Sequence, residues 1–384
     1  MQKKIIALAI AGLASTAAFA QSNVTIYGVA DATFDSVKAT KGSSASEQAA
    51  FVTRQRVTAN SSYIGFKGVE DLGNGLKAVF QFENGINNDN SSAGSWNNRD
   101  SYVGLSGGFG TVVAGNLTGP TRAVGAKYDV NQGATGIGAN AALLGKLGTI
   151  AGDSGASAFD QRISNAVAYV SPTVAGFTGV IGYSTGLSSA AIAGTAAAVI
   201  GTNREATGAG DVQFNTARTL GLGYANGPIS VDYAYTRVGL KDAQNDLQDH
   251  RLGFLFSQGW GSVGLLAERT SLQATTGNLT QNVFYVPVKV NVGKGRVIGQ
   301  FGHAGNVKNT VASEGANHYV LGYEHDLSKR TTLKLVYSQI NNKEGSNYDY
   351  LYGAGNANST ATNTSGVAND ANVKGISLGL RHAF

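Results

Sequence analysis

Between Ser61 and Glu83 the chain reads SSYIGFKGVEDLGNGLKAVFQFE. In an extended conformation Ile64 and Phe66 fall on one side and Lys67 on the other. In the second arm Leu76, Ala78, Phe80 and Phe82 alternate with Lys77, Val79, Gln81 and Glu83. A period of two marks a strand with one apolar and one polar face. The arms meet at Asp71-Leu72-Gly73-Asn74-Gly75, where Asn-Gly accommodates positive φ. The stretch therefore predicts an antiparallel hairpin.

The same pattern recurs along the chain. It predicts strands over residues 23–35, 55–70, 75–87, 99–105, 111–116, 162–170, 177–184 and 212–225. Further strands follow at 229–238, 251–257, 262–270, 282–291, 295–303, 318–325, 331–340 and 373–384, sixteen in all. Counted from the N-terminus, the even connections span three to six residues and the odd ones about eleven to over forty. The longest, 117–159, carries nine glycines and no clear alternation. Connections of that length are functional or disordered; within it Ala141 to Leu144 suit a short helix. The connection 341–372 holds eight asparagines and should face solvent. Pro287 interrupts its strand, which calls for a bulge or a rim position.

These strands must place an apolar face somewhere. The opposite face carries Thr25, Tyr27, Asp31, Lys67, Lys77, Gln81, Glu83, Asp232 and Glu268, too polar for a dry core. A cylinder of about sixteen strands is also too wide for side chains to fill. The apolar face therefore points outward to lipid and the polar face lines water. Closure leaves no unpaired edge, as lipid demands. Short turns on one rim and long loops on the other are the pattern of an outer-membrane barrel. A soluble all-β protein would have no reason to segregate its connections. The expected fold is all-β: a transmembrane antiparallel β-barrel of sixteen strands, one domain over 21–384.

Composition narrows the chemistry. The chain has no cysteine, hence no disulfide, no thiolate and no Cys-ligated zinc. Only 14% of residues are charged, and 16 tyrosines and 15 phenylalanines are available for interfacial girdles. Residues 1–20 read as a signal peptide: Lys3 and Lys4, an apolar run from Ile5 to Leu13, and Ala18-Phe19-Ala20 before Gln21. That run is too short for a membrane anchor, and no other segment reaches eighteen apolar residues. Without the leader the chain holds 27 basic and 24 acidic residues, a net +3 rather than +5, which gives no reason to expect nucleic acid. Of the histidines, His250, His303, His318, His325 and His382, none stands in a pattern suggesting a nucleophile partner or a metal cluster. His318 and His325, seven apart, face opposite ways, and each histidine reads as an interface or rim residue. No catalytic residue, metal or cofactor is expected.

Several blocks resemble a known family. They are Val24-Thr-Ile-Tyr-Gly-Val-Ala-Asp31, the hairpin Ile64 to Glu83, and Tyr102-Val-Gly-Leu-Ser-Gly-Gly-Phe-Gly-Thr-Val-Val113. Later come Arg162-Ile-Ser-Asn-Ala-Val167, Gly322-Tyr-Glu-His-Asp-Leu-Ser-Lys-Arg-Thr331 and Gly379-Leu-Arg-His-Ala-Phe384. Together they resemble the general diffusion porins of Gram-negative outer membranes, of the beta-proteobacterial type, over essentially the whole mature chain. The resemblance implies a homotrimer in the cell outer membrane, in contact with outer-membrane lipid and lipopolysaccharide. It implies that the third long loop, 117–159, folds inward and narrows the lumen. It also implies that the final strand and Phe384 form the insertion signal read by the barrel-assembly machinery.

The family's Asp-Pro-Phe segment is replaced here by Tyr128-Asp-Val-Asn-Gln132, and two positions of its arginine ladder hold Tyr63 and Asn116. Arg99 and Arg162 match family arginines. Arg162 also has lumen parity, with Ser164, Ala166 and Ala168, whereas Arg99 shares parity with Val103 and Leu105 on the oily face. Arg99 therefore requires a bulge or a place at the outer rim. The expected pore-lining and constriction residues are Arg162, Lys67, Lys77, Glu83, Arg99, Arg122, Lys127, Asp129, Lys146, Asp153 and Asp160. The expected activity is passive diffusion of small hydrophilic solutes and ions with a weak anion preference. A solute-specific channel is the competing reading, and a barrel enzyme a more distant one.

Overall fold

A computed structural model describes residues 23–40, 51–89, 98–147, 159–160, 162–185, 216–240, 245–274, 277–310, 314–350, 367 and 369–384. The expected leader at 1–20 lies outside the described residues. The first strands are β1 (Asn23–Thr40), β2 (Phe51–Thr58), β3 (Tyr63–Gly73), β4 (Leu76–Gly85), β5 (Ser101–Gly107) and β6 (Gly110–Thr118). A helix, α1 (Pro120–Lys127), and a 3-10 turn, Asn140–Ala142, follow within the long connection. The wall resumes with β7 (Arg162–Val170), β8 (Phe177–Ser184), β9 (Thr216–Asn226), β10 (Ile229–Leu240) and β11 (Asn245–Gln258). It ends with β12 (Gly261–Ala274), β13 (Gly277–Val292), β14 (Gly295–Ala304), β15 (Ala316–Asp326), β16 (Thr331–Asn342) and β17 (Asn372–Ala383).

All pairings of these strands are antiparallel, and β1 joins β17 from Val29↔Ala383 to Thr40↔Asn372, so the sheet closes on itself. The segments β2 and β3 both pair with β1, β2 along Thr33–Ala39 and β3 along Asn23–Val29. They are two halves of one wall strand, so the seventeen segments make a sixteen-stranded barrel. At the other end Gly28 and Phe384 exchange both backbone hydrogen bonds at 3.1 Å. The Phe384 ring lies where a side chain on Gly28 would otherwise project.

The break between β2 and β3 was not expected from a strand over 55–70. Asn60 and Ser61 turn there with φ of 49° and 62°, a left-handed conformation that asparagine tolerates. The lost ladder bonds are replaced by side chains. Ser62 Oγ accepts from the Asp31 N–H at 2.8 Å, and Asn60 Nδ2 donates to Asp31 Oδ1 and Thr33 Oγ1 at 3.0 and 2.9 Å. The break turns the short stretch 59–62 toward the interior, where it becomes part of the passage described below.

Burial runs opposite to that of a soluble protein. Leu321 and Val103 are each 61% exposed, while Arg251, Asp35 and Asp249 are fully buried. Along β1, Asp31, Thr33 and Asp35 are buried and Phe34 between them is exposed. The apolar face is thus the outer one, and the charged face is enclosed.

The strands run further than the alternation predicts, chiefly on the side of the long connections. β1 extends to Thr40, β13 begins at Gly277, and β12 pairs with it up to Ala274↔Gly277, leaving two residues where eleven were expected. Polar residues such as Ser271, Gln273 and Asn278 hide this extension, because the period-two signal fades where both faces are wet. Pro287 needs no bulge. The ladder to β12 lacks the pairs opposite Val286 and Pro287 and resumes in the same register, while Pro287 still faces Gln300 on β14.

Candidate functional site

The long connection between β6 and β7 lies against the polar face of the wall. It begins with α1, which carries Pro120 in its first turn, where no intrahelical N–H is needed, and Lys127 in its last. Thr121, Val124 and Gly125 form its buried side, and α1 packs on β9, β10 and β11. The short helix expected at Ala141 to Leu144 is the 3-10 turn one residue earlier; α1 itself escaped the sequence reading.

Hydrogen bonds then fix the connection strand by strand. Tyr128 donates its hydroxyl to Asp232 on β10 at 2.7 Å, beside Lys127 Nζ at 2.5 Å from the same carboxylate. The Tyr128 ring fills the space a side chain at Gly253 would need, so β11 must carry glycine there. Val130 N–H donates to Gln300 Oε1 on β14, and Gln300 Nε2 donates to Gly138 O, both at 3.3 Å. Gly145 N–H donates to Glu268 Oε1 on β12 at 2.6 Å.

Asp129 is the internal hub of this connection. Its carboxylate accepts from Asn131 N and Nδ2 at 2.8 and 2.9 Å and from Asn140 N at 2.7 Å. Burial pushes this carboxyl up to about 6, against the N–H groups that favour the charged form.

Both arms of the connection converge on Arg251 of β11, which is fully buried. Its guanidinium donates to Asp160 Oδ1 and Oδ2 at 2.6 and 2.8 Å and to Thr121 O at 3.0 Å. Its Nε lies 3.0 Å from Asp249 and 2.8 Å from Glu268. One arginine thus faces three carboxylates and ties the start of the connection to its end. Gly125 lets it pass: a Cβ there would stand 2.7 Å from Arg251 Nη1. The sequence reading placed Glu268 on the polar face but missed Arg251. Counting back from the Gln258–Gly261 turn sets Arg251 opposite Glu268, the pairing found in the sheet.

Between this connection and the wall strands β3 to β7 lies an open passage of about 420 Å³. Arg99, Arg122, Arg162 and Asp160 line it, with Ser61, Asn98 and Asn140. Arg99 Nε bonds Glu83 Oε2 at 3.1 Å, and its guanidinium carbon lies 4.3 Å from the centre of the Tyr63 ring. Asn116 Nδ2 donates to Arg99 O at 2.9 Å. Tyr63 and Asn116, at positions where the family often has arginine, here support Arg99. The parity objection to Arg99 fails because β5 begins only at Ser101, so the backbone at Arg99 is free of the strand's alternation. Arg162 pairs with Asp100 at 3.0 Å. Arg122 donates to the main-chain carbonyl of Asp160 and has no carboxylate partner among the described residues.

Glu83 is buried behind Arg99, whereas Asp100 beside Arg162 stays partly exposed. Among the described residues, the passage is thus lined by three guanidiniums, while the Asp160 carboxylate is engaged by buried Arg251. Of the remaining candidates, Lys67 and Lys77 are exposed on the lumen face toward the short-turn rim, Lys67 at 4.8 Å from the Tyr27 ring centre. Asp129 and Lys146 are buried beneath the connection rather than on the passage. Asp153 lies outside the described residues. His318 departs from its expected rim position. It is fully buried, between Tyr285 OH at 3.0 Å and Ser338 Oγ at 2.9 Å, while His325 on the same strand is part-exposed.

A closed sixteen-stranded barrel with a wet, charged interior defines an outer-membrane channel-type protein. The Gram-negative porin family model matches residues 7–345. Outer membrane porin protein 32 of Delftia acidovorans is 30% identical over the full length of both chains. A major outer membrane protein P.IB of Neisseria gonorrhoeae is 42% identical over 132 residues, and that match spans only 36% of the Neisseria protein. Among solved structures, the anion-selective porin from Comamonas acidovorans superposes with a TM-score of 0.73 at 26% identity, covering 95% of this chain and all of that one. OmpT of Vibrio cholerae, at 14% identity and a TM-score of 0.63, shares the fold. The chain belongs to the Gram-negative porin family and is a multi-pass protein of the outer membrane.

Proposed function

We propose that this barrel is a general diffusion channel for small hydrophilic solutes and ions, with a weak preference for anions. The observation that carries the reading is the passage of about 420 Å³ lined by the guanidiniums of Arg99, Arg122 and Arg162. A charged ring at a narrow section biases which ions enter through its local potential. Residues 117–159 act as the constriction loop, held by Arg251 on one side and framing the arginines on the other. The relative named as an anion-selective porin supports the sign of the preference.

The working unit is a homotrimer in contact with lipopolysaccharide, and Phe384 ends the strand that the barrel-assembly machinery reads. Planar-bilayer recording tests the channel reading. A general pore gives a current that rises linearly with solute concentration. A solute-specific channel saturates and is blocked by its solute, and that result would replace this reading.

A further inference from the structure

On the lumen side of β1 and β3 to β6, between the arginine passage and the short turns, side chains form three rows across the strands. The row nearest the passage holds Thr25, Lys67, Gln81 and Tyr102, each directly opposite the next. The row nearest the turns holds Asp71, Lys77, Ser106 and Thr111, again in direct succession. The row between them is apolar: Val69 faces Val79, Val79 faces Gly104, and Gly104 faces Val113. Val69 is 50% exposed although it faces the lumen. The valines, Lys67, Ser106 and Thr111 line one open hollow of about 480 Å³.

Valines facing water gain nothing from lipid, since the outer positions of these strands already supply the apolar face. An exposed apolar patch rimmed by polar groups marks a ligand groove. The rim of this one suits an anion at one edge. Lys67 is exposed, lies 4.8 Å from the centre of the Tyr27 ring, and has no ion-pair partner among the described residues. Glu83, one row closer to the passage, is buried and taken by Tyr27 OH at 2.9 Å, Gln81 Nε2 at 3.2 Å and Arg99 Nε at 3.1 Å. At the other edge Ser106 Oγ and Thr111 Oγ1 lie 2.9 Å apart, so one hydroxyl donates to the other and one proton stays free. The two polar rows are four residues apart along each strand, about 13 Å. A hydrogen bond at each end takes about 3 Å, which leaves about 7 Å, the length of a benzene ring with a substituent at each end.

We propose that this hollow binds a small aromatic carboxylate that carries a hydroxyl at the far end of its ring. The carboxylate meets Lys67 Nζ, the ring lies on Val79 and Val113, and the hydroxyl reaches the Ser106–Thr111 pair. This rests on the channel reading, in which the arginine passage delivers anions to the hollow. The site occupies one wall, so the current of other ions stays linear in their concentration.

The test adds detergent-solubilised protein to 4-hydroxybenzoate and to uncharged 4-hydroxybenzyl alcohol, and follows the relaxation of their ring protons by NMR. The wild type should bind the acid about fivefold more tightly than the alcohol, the bias of one exposed charge. Lys67→Gln should bring the acid down to the alcohol, and Lys67→Arg should keep most of the difference. Val79→Thr with Val113→Thr, which preserves shape and charge, should weaken both compounds. Chloride conductance in planar bilayers reports on the channel separately. Its absence from folded wild-type barrels would sink the channel reading, whereas conductance without binding sinks the site alone. Equal binding of acid and alcohol by the wild type would overturn the proposal. So would a Gln variant that binds the acid as the wild type does, or displacement of the acid by an equal concentration of acetate, which would make this a plain anion site.

Discussion

Arg122 lines the passage and, among the described residues, is held by the main-chain carbonyl of Asp160 rather than by a carboxylate. Two unit charges about 4 Å apart in water interact by about 1 kcal/mol, roughly a fivefold bias. Arg122→Gln should therefore lower the anion-to-cation permeability ratio several-fold with little change in stability, as read from reversal potentials. Asp129 makes a second prediction through its carboxyl, raised to about 6. Because the folded value lies above the unfolded one, the stabilisation is complete below about pH 4 and is lost as pH rises through about 6. Current noise from loop motion should be greater at pH 7.5 than at pH 5, and Asp129→Asn should flatten that difference. Alternation gives Arg162 lumen parity with Ser164, Ala166 and Ala168, but its strand carries an irregularity at Asn165, where φ is 48° and the register to β6 shifts. Ile163 and Ala166 are therefore both buried, and parity alone does not place Arg162. Arg99 was recognised by resemblance and seemingly contradicted by parity, because alternation says nothing about residues just before a strand. Arg251 was missed because its role depends on three carboxylates from three separate segments.

At the scale of the element, the long connection is held by an apolar cluster shared with the wall, in which Val130, Ile137, Leu143 and Leu144 pack with Leu266, Tyr285 and Ile298, together with a few hydrogen bonds and one buried ionic cluster around Arg251. Removing one member of a buried ion pair typically costs about 3–5 kcal/mol, because the partner charges stay buried. Arg251→Met leaves Asp160, Asp249 and Glu268 without their cation, so the connection should loosen while the wall still closes. Bilayer recordings should show a larger, noisier conductance with unchanged heat-resistant migration of the folded barrel. The strands themselves could be read from alternation, as could the turn chemistry of Gly73-Asn74-Gly75, where all three φ values are positive. Helix α1 could not, since an eight-residue segment containing Pro120 and Gly125 has little helical preference and is stabilised by the wall it meets.

For the whole molecule, the governing fact is which face of the closed sheet meets hydrocarbon. Leu321 sits on the outer face between Tyr319 and Tyr323 and is 61% exposed. Leu321→Arg should destabilise folding into bilayers by about 2–4 kcal/mol in urea titrations, the cost of a cation near the membrane midplane. The barrel was legible in outline because lipid and water impose the alternation on each strand. The break at 59–62 and the projecting ends of β12 and β13 were not, because side-chain hydrogen bonds and two wet faces replace that constraint there.

The central claim is that the enclosed polar face is a water-filled path biased by Arg99, Arg122 and Arg162. Reversal potential across a planar bilayer under a salt gradient tests it most directly. The account predicts steady ohmic conductance reversing on the anion side, displaced from zero by only a small part of the ideal chloride potential. Reversal on the cation side, or no conductance from correctly folded barrels, would contradict it.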